Sequence, residues 1–365
     1  MARGIHVMSG MLEVDKGSVT TPMSSDRLYS RRRFLGTAAA LAAGSSALIA
    51  RDAPHRRTFK EMIFNDDPLL DAPYKPDPAR WSDSALTAAW IGHSTILLNF
   101  FGMKIITDPV FSDRIGLHIA GLFTLGPRRL VKPALLPEEL PPVDLILLSH
   151  AHMDHLDVPS LKHLNRSIPI IMAKNTYDVI DDLDFQRVYE LDWGKWTSSQ
   201  GMRVEALEVK HFGWRYPWEE DRSRGNPDGR SYNGYLLSYA GHHIVFGGDT
   251  AYHEKFRTLC DRNIQIDLAM MPIGAYDPWI RNHASPEQAL MMADQMGARS
   301  LLPMHWNTFI QSQEPTGEPL QRLRRAAQPD VQEIALQSIG ETWSLDADRP
   351  QLRPVDPEPH PPATN

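Results

Sequence analysis

The chain has 365 residues, 42% of them hydrophobic and 23% charged, enough for one large folded domain or two ordinary ones with a sizeable core. A formal net charge of −7 gives no support to nucleic-acid binding driven by overall charge. The single cysteine, Cys260, excludes an internal disulfide framework and a thiolate-rich metal cage, so any metal must be held through nitrogen and oxygen.

Chain order begins with an address. Ser30-Arg31-Arg32-Arg33-Phe34-Leu35-Gly36 precedes an apolar, Ala-rich run from Thr37 to Ala50. Paired arginines followed by a modest hydrophobic segment make a twin-arginine export signal, and the run is too short and too rich in Ala and Gly for a membrane span. Residues 1–52 are therefore expected to be a leader, with cleavage near Ala50 and delivery of an already folded protein to the periplasm. Met23 would open a leader of more usual length.

Short apolar runs then alternate with turn signals. Residues 86–91, 94–100 and 103–107 read as successive strands, the last two joined at Phe101-Gly102. Strands at 143–149 and 168–173 are separated by a short helix at 159–164. A second set follows at 203–209, 232–239 and 243–246, turning at Ala240-Gly241, then at 268–271. A helix is expected at 253–261, with Cys260 as buried filler, and another at 286–296. There Ser285 caps the start, Pro286 fits the first helical position and Gly297 closes the end. Late strands at 300–303, 334–336 and 341–345 complete the folded part, 53–347. Residues 348–365, rich in Pro and charge, read as a disordered tail. No glycine-rich phosphate loop follows the first strand. The pattern predicts an α+β protein with two sheets packed face to face and helices outside.

The chemistry concentrates at strand ends. His150-Ala151-His152-Met153-Asp154-His155 follows the apolar run 143–149 and offers four metal ligands in six residues. In an extended segment His150 and His152 point the same way, whereas Asp154 and His155 diverge, so the spacing suggests two neighbouring ions. Three later candidates also terminate apolar strands: His211, Asp249 and His305. His150, His152 and His211 would serve one ion, and Asp154, His155 and His305 the other, with Asp249 between them. Imidazole and carboxylate suit zinc, with manganese or iron as alternatives.

These residues resemble the metallo-β-lactamase fold superfamily of binuclear hydrolases. Trp90-Ile91-Gly92-His93-Ser94-Thr95, Thr107-Asp108-Pro109-Val110-Phe111-Ser112, Gly126-Pro127-Arg128-Arg129, Glu190-Leu191-Asp192-Trp193, Gly248-Asp249-Thr250-Ala251-Tyr252 and Pro272-Ile273-Gly274-Ala275-Tyr276 are similar to one branch, the N-acylphosphatidylethanolamine-hydrolysing phospholipase D family. The resemblance runs from Trp81 to Trp343. It implies an αββα sandwich with two zinc ions in a cleft at the strand ends, activating a bridging hydroxide that attacks a phospholipid phosphodiester. Asp154 is then a ligand and a candidate to orient or deprotonate that nucleophile. His283 aligns with a histidine of the branch that would touch the phosphate or the leaving group, or else it is a polar residue ahead of a helix cap. His93 either orients a ligand or pins the first strand pair.

The stretch 212–218, Phe-Gly-Trp-Arg-Tyr-Pro-Trp, would pack acyl chains or touch a membrane surface while Arg215 meets phosphate; a packed lid or a dimer contact is the alternative. Arg128 and Arg129 are further phosphate candidates, and Arg222, Arg224 and Arg230 read as solvated. Two competing functions keep the metals: a lactonase that opens a sugar lactone, and an exported envelope protein whose metal is structural.

Overall fold

The structure is a computed structural model that describes residues 57–65, 67–119, 122–216, 218–219, 228–327, 333–346 and 349–355. The expected leader, 1–52, lies outside the described residues. With strands numbered along the chain, the first sheet comprises β1 (Ala85–Gly92), β2 (Thr95–Phe100), β3 (Met103–Thr107), β6 (Leu145–Leu148), β7 (Ile170–Ala173), β8 (Val188–Leu191), β16 (Thr342–Asp346) and β17 (Arg349–Val355). Their order is β17-β16-β1-β2-β3-β6-β7-β8. The second sheet comprises β9 (Trp196–Ser199), β10 (Met202–Glu208), β11 (Asn233–Tyr239), β12 (His242–Phe246), β13 (Ile266–Pro272), β14 (Ala298–Met304) and β15 (Glu333–Ile334), in the order β15-β14-β13-β12-β11-β10-β9. A small separate hairpin pairs β4 (Leu117–Ile119) with β5 (Phe123–Leu125).

Both large sheets follow one plan. An antiparallel meander, β1-β2-β3 or β10-β11-β12, feeds a parallel array, β3-β6-β7-β8 or β12-β13-β14-β15. The meanders turn tightly at Phe101-Gly102 (φ 50° and 95°) and Ala240-Gly241 (φ 50° and 81°), the left-handed pair that matches strand twist. The parallel strands are apolar runs buried on both faces. Leu145 and Leu147 of β6 enter the core between the sheets, while Ile146 and Leu148 enter an outer cluster with Leu161 and Ile170. The inter-sheet core joins Trp90, Phe100, Leu147, Tyr235, Phe246, Met271, Leu302 and Trp343. This is the α+β sandwich the sequence predicts.

The helices are α1 (Phe59–Ile63), α2 (Val158–Leu161), α3 (Arg257–Cys260), α4 (Pro286–Gln295) and α5 (Glu318–Ala326). At α4 the Ser285 hydroxyl accepts from the Gln288 amide, Pro286 opens the helix and Gly297 follows in the left-handed region (φ 67°), as its sequence dictates. The helix expected over 253–261 is shorter, only α3. It buries Leu259 and leaves Cys260 exposed, so the cysteine is not filler. Part of the tail expected to be disordered, 348–365, is also corrected: β17 pairs antiparallel with β16. Composition denies that segment a core of its own, but a sheet edge needs only main-chain partners, and edge strands are where Pro350 and Pro354 are tolerated.

Trp343 is fully buried between the sheets, and its Nε1 donates to a Glu333 carboxylate oxygen at 3.3 Å. Trp343→Ala is expected to remove about 3–5 kcal/mol of stability in urea titrations of the full chain. A loss below about 1 kcal/mol would show that this end of the sandwich does not depend on it.

Candidate metal centre

Every candidate ligand sits just past a strand end on one edge of the sandwich. His150 leaves β6 one residue after Ser149, His211 follows β10, Asp249 follows β12 through Gly247-Gly248, and His305 follows β14 directly. Gly248 has φ 56°, and a Cβ there would lie 2.6 Å from the Asn233 carbonyl oxygen, so the chain can pass only as glycine. His93 at the β1–β2 turn and His305 themselves hold left-handed backbone (φ 53° and 62°), and the His305 amide donates to the His93 carbonyl at 3.0 Å. Strained non-glycine residues are held this way only where their surroundings over-determine them.

The seven candidate ligands converge. One group is His150, His152, His211 and Asp249; a second is His93, Asp154, His155 and His305; in each, one ligand atom per residue lies within 4.8 Å of all the others. In the first, His152 Nδ1 lies 2.9 Å from His150 Nε2 and 3.1 Å from His211 Nε2. In the second, Asp154 Oδ2 lies 3.3 Å from His305 Nε2 and 3.4 Å from His155 Nε2. Asp249 Oδ2 faces both groups, 3.2 Å from His155 Nε2, 3.1 Å from His305 Nε2 and 3.8 Å from His211 Nε2.

Hydrogen bonds on the far side of the rings fix which nitrogens face inward. His155 Nδ1 donates to Asp108 Oδ2 at 2.6 Å, and His211 Nδ1 donates to the Asn282 carbonyl at 2.9 Å. Ser149 Oγ donates to Asp108 Oδ2 at 2.5 Å and accepts from His150 Nδ1 at 2.9 Å. One buried aspartate thus orients both His150 and His155, and their Nε2 lone pairs point into the centre. Asp154 Oδ2 is held by the His93 Nε2–H at 3.0 Å and the Gln311 side-chain amide at 2.7 Å. His93 therefore both orients a ligand and pins strands, because Thr308 Oγ1 accepts from its amide and its carbonyl accepts from Trp90 Nε1.

The cluster fits divalent metal on its own chemistry. His152 Nε2, His155 Nε2, both His305 ring nitrogens and Asp249 Oδ1 are buried without a hydrogen-bond partner. Ring nitrogens and carboxylate oxygens packed this closely out of water are costly unless protons or a cation lie among them. Burial drives His150 well below the ordinary imidazole range and His152 down to about 3, so both rings are neutral. Burial alone would raise Asp154 and Asp249, yet the surrounding imidazoles, His155 foremost, hold both carboxyls well below their usual range. Burial likewise opposes charge on His155 and His305. The two carboxylates outweigh it, lifting His155 well above its ordinary value and His305 to about 9. Without metal these two rings carry the protons that a cation would displace.

His283 joins the same pocket, its Nδ1 buried 3.7 Å from Asp249 Oδ2 and its ring 5.0 Å from that of His211. Phe212 packs its ring on His152 at 4.4 Å. Three expectations are overturned. Arg215 does not face the cleft to meet phosphate: it is buried, donating to the carbonyls of Ala151 and Leu156. Arg129 is fully buried, donating to the carbonyls of Ser112 and Val110 beneath Phe309. Arg230 is buried against Asp178 and Glu219 and is not solvated; Arg222 and Arg224 lie outside the described residues. Sequence reasoning assigned no role to Asp108, Ser149 or Gln311. Asp108 had a readable signal, an acid ending β3 beside the strand that delivers His150; Gln311, on a late irregular loop, had none.

Residues 103–306 match the Beta-lactamase superfamily domain. An uncharacterized protein of Mycobacterium tuberculosis is 32% identical over 278 residues, 73% of this chain and 70% of the relative. N-acyl-phosphatidylethanolamine-hydrolyzing phospholipase D 1 of Caenorhabditis elegans is 30% identical over 315 residues, 79% of this chain and 85% of that protein. Among solved structures, an isothiocyanate hydrolase from Delia radicum gut bacteria superposes with a TM-score of 0.54 at 17% identity, over 70% of this chain and 97% of its own.

Metal uptake is expected to release protons. At pH 8 His305, at about 9 in the metal-free protein, is protonated, and binding strips that proton along with any held by His155, which the two carboxylates raise well above its ordinary value. Zinc affinity should therefore rise with pH up to about 9. Calorimetry of zinc uptake in buffers of different ionisation enthalpy measures the release; zinc binding with no proton release would contradict this electrostatic picture.

Proposed function

Because the chain belongs to the β-lactamase superfamily and is a metal-dependent hydrolase with the metallo-β-lactamase fold, we propose that it cleaves a phosphodiester bond in a glycerophospholipid of the N-acylphosphatidylethanolamine type, using two zinc ions. His150, His152 and His211 would hold one ion and Asp154, His155 and His305 the other, with Asp249 shared. When bound, the ions would act as Lewis acids on the phosphoryl group and lower the pKa of water at the site.

The remaining steps belong to the chain's own residues. Asp108 keeps His150 and His155 in the tautomer that presents Nε2. Asp154 is assigned as a ligand and not as the base: His93 and Gln311 already donate to the oxygen that faces His155 and His305, and the carboxyl sits far below the pKa a general base requires. His283 takes the role of proton acceptor from the attacking water, a role that a neutral ring can fill. Burial keeps it neutral and its Nδ1 lies beside Asp249, so Nε2 is the nitrogen left with a lone pair to accept that proton.

One observation carries the lipid part of this reading: large apolar side chains are exposed beside the centre. Phe212, Trp279 and Ile280 are each exposed, Phe212 lies on His152, and Trp279 accepts from the His283 amide while its Nε1 donates to the Gln311 carbonyl. Acyl chains or the surface of a bilayer would be met there. Among the described residues no helix is long and apolar enough to cross a membrane. The leader motif supports action in the periplasm after twin-arginine export.

Zinc-loaded protein is expected to hydrolyse bis(p-nitrophenyl) phosphate and N-acylphosphatidylethanolamine in mixed micelles, with a chelator abolishing both activities and zinc restoring them. His283→Asn should lower kcat by about 10²–10⁴ while zinc content stays at the wild-type value. Turnover of a sugar lactone without turnover of either phosphodiester would replace this reading with a lactonase. A zinc-loaded protein inert to all three would leave the metal structural.

A further inference from the structure

We propose that Arg215 is a positioning residue that sets the metal affinity of the centre by clamping the turn that carries four of its ligands. The turn from His150 to His155 has little regular structure to hold it, only the Leu156 and His155 amides donating to the His152 carbonyl at 2.8 and 3.1 Å. Its entry is pinned by Tyr235, whose hydroxyl donates to the Leu148 carbonyl, and by the Asn233 amide, which donates to the Ser149 carbonyl. Beyond that point Arg215 takes over. A single nitrogen, Nη1, donates to the Ala151 carbonyl at 2.7 Å and the Leu156 carbonyl at 2.9 Å, joining the two ends of the segment that holds His152, Asp154 and His155.

The guanidinium is itself anchored. Its Nε donates to Tyr216 Oη at 3.2 Å, and the Arg215 amide donates to Glu219 Oε2 at 2.9 Å. The other oxygen of Glu219 pairs with the buried Arg230 at 2.8 Å. Gly213 lets this strap lie flat, since a Cβ there would come 2.6 Å from the Arg230 carbonyl oxygen. The strap begins at His211, a ligand on the second sheet, and returns to the ligand turn of the first. Arg215 thus ties together ligands delivered by different sheets.

A fixed positive charge beside a cation site would by itself weaken metal binding. The clamp and the charge therefore predict opposite signs for its removal. Arg215→Met deletes both, and Arg215→Lys keeps the charge but ends short of the Nη1 position and loses the Nε bond to Tyr216 that aims it.

The test strips metal from the full chain and from both variants, then measures zinc affinity by competition with a fluorescent chelator. Melting temperatures are recorded with and without zinc. The inference rests on the metal reading above, and the wild-type titration in the same experiment tests that reading separately. Both variants are expected to bind zinc about 10–100-fold more weakly than wild type, with a narrower gap between stripped and loaded melting temperatures. Tighter zinc binding by Arg215→Met would mean that charge dominates and would overturn the proposal. Wild-type affinity in Arg215→Lys with a raised KM for bis(p-nitrophenyl) phosphate would make Arg215 a substrate contact instead. An equal fall in both melting temperatures at unchanged affinity would reduce it to general packing.

Discussion

A cation-sized space lined by imidazole lone pairs and carboxylate oxygens is the constraint on which this molecule is organised. Few arrangements are less favourable in a protein interior than acceptors facing acceptors with neither a proton nor a cation between them. Here His152, His155, His305 and Asp249 all present buried atoms with no hydrogen-bond partner. Metal-free, the pocket balances its charge by keeping protons on His155 and His305 against the two aspartates. Divalent metal replaces those protons with a stronger and more directional partner, so the folded state and the loaded state favour each other.

The sandwich makes that convergence affordable in conformational terms. Four strands from two sheets end at one edge, and each ligand lies within a few residues of a rigid strand. Precision then comes from a layer of groups that touch no metal. Asp108 orients two rings, one of them through Ser149; His93 and Gln311 hold Asp154; the Asn282 carbonyl turns His211. Left-handed backbone at His93 and His305, together with Gly248 in the approach to Asp249, marks the places where the chain is bent to meet the geometry.

Much of this was legible before any coordinates. Short apolar runs and abrupt turn pairs located β1, β2, β3, β10, β11 and β12, because those strands carry both their burial and their turns in local sequence. Four of the candidate ligands stood out as a dense cluster, 150–155, after an apolar run, and His211, Asp249 and His305 because each ends an apolar run of its own. What stayed hidden is non-local. β8, β9 and β17 are short edge strands defined by a neighbour's open main chain, and their own sequences, such as Trp196–Ser199, show no apolar alternation. The arginines were misread for a related reason. Arg129 and Arg215 look like phosphate binders in sequence and Arg230 like a solvated loop residue, yet each is buried, with main-chain carbonyls or acids as its partners. A guanidinium serves that purpose well, and only the folded chain shows which carbonyls lack another donor.

The proposed metal pair would sit at one edge of the sandwich, with His283 and the exposed apolar residues beside it as the chain's contribution to choosing a lipid. The central claim is the pair itself. Anomalous diffraction at the zinc edge, from crystals of the zinc-loaded full chain, tests that claim most directly. The account predicts two peaks, one among His150, His152 and His211 and the other among Asp154, His155 and His305, with Asp249 reaching both. A single peak, or a second one away from His305, would contradict it.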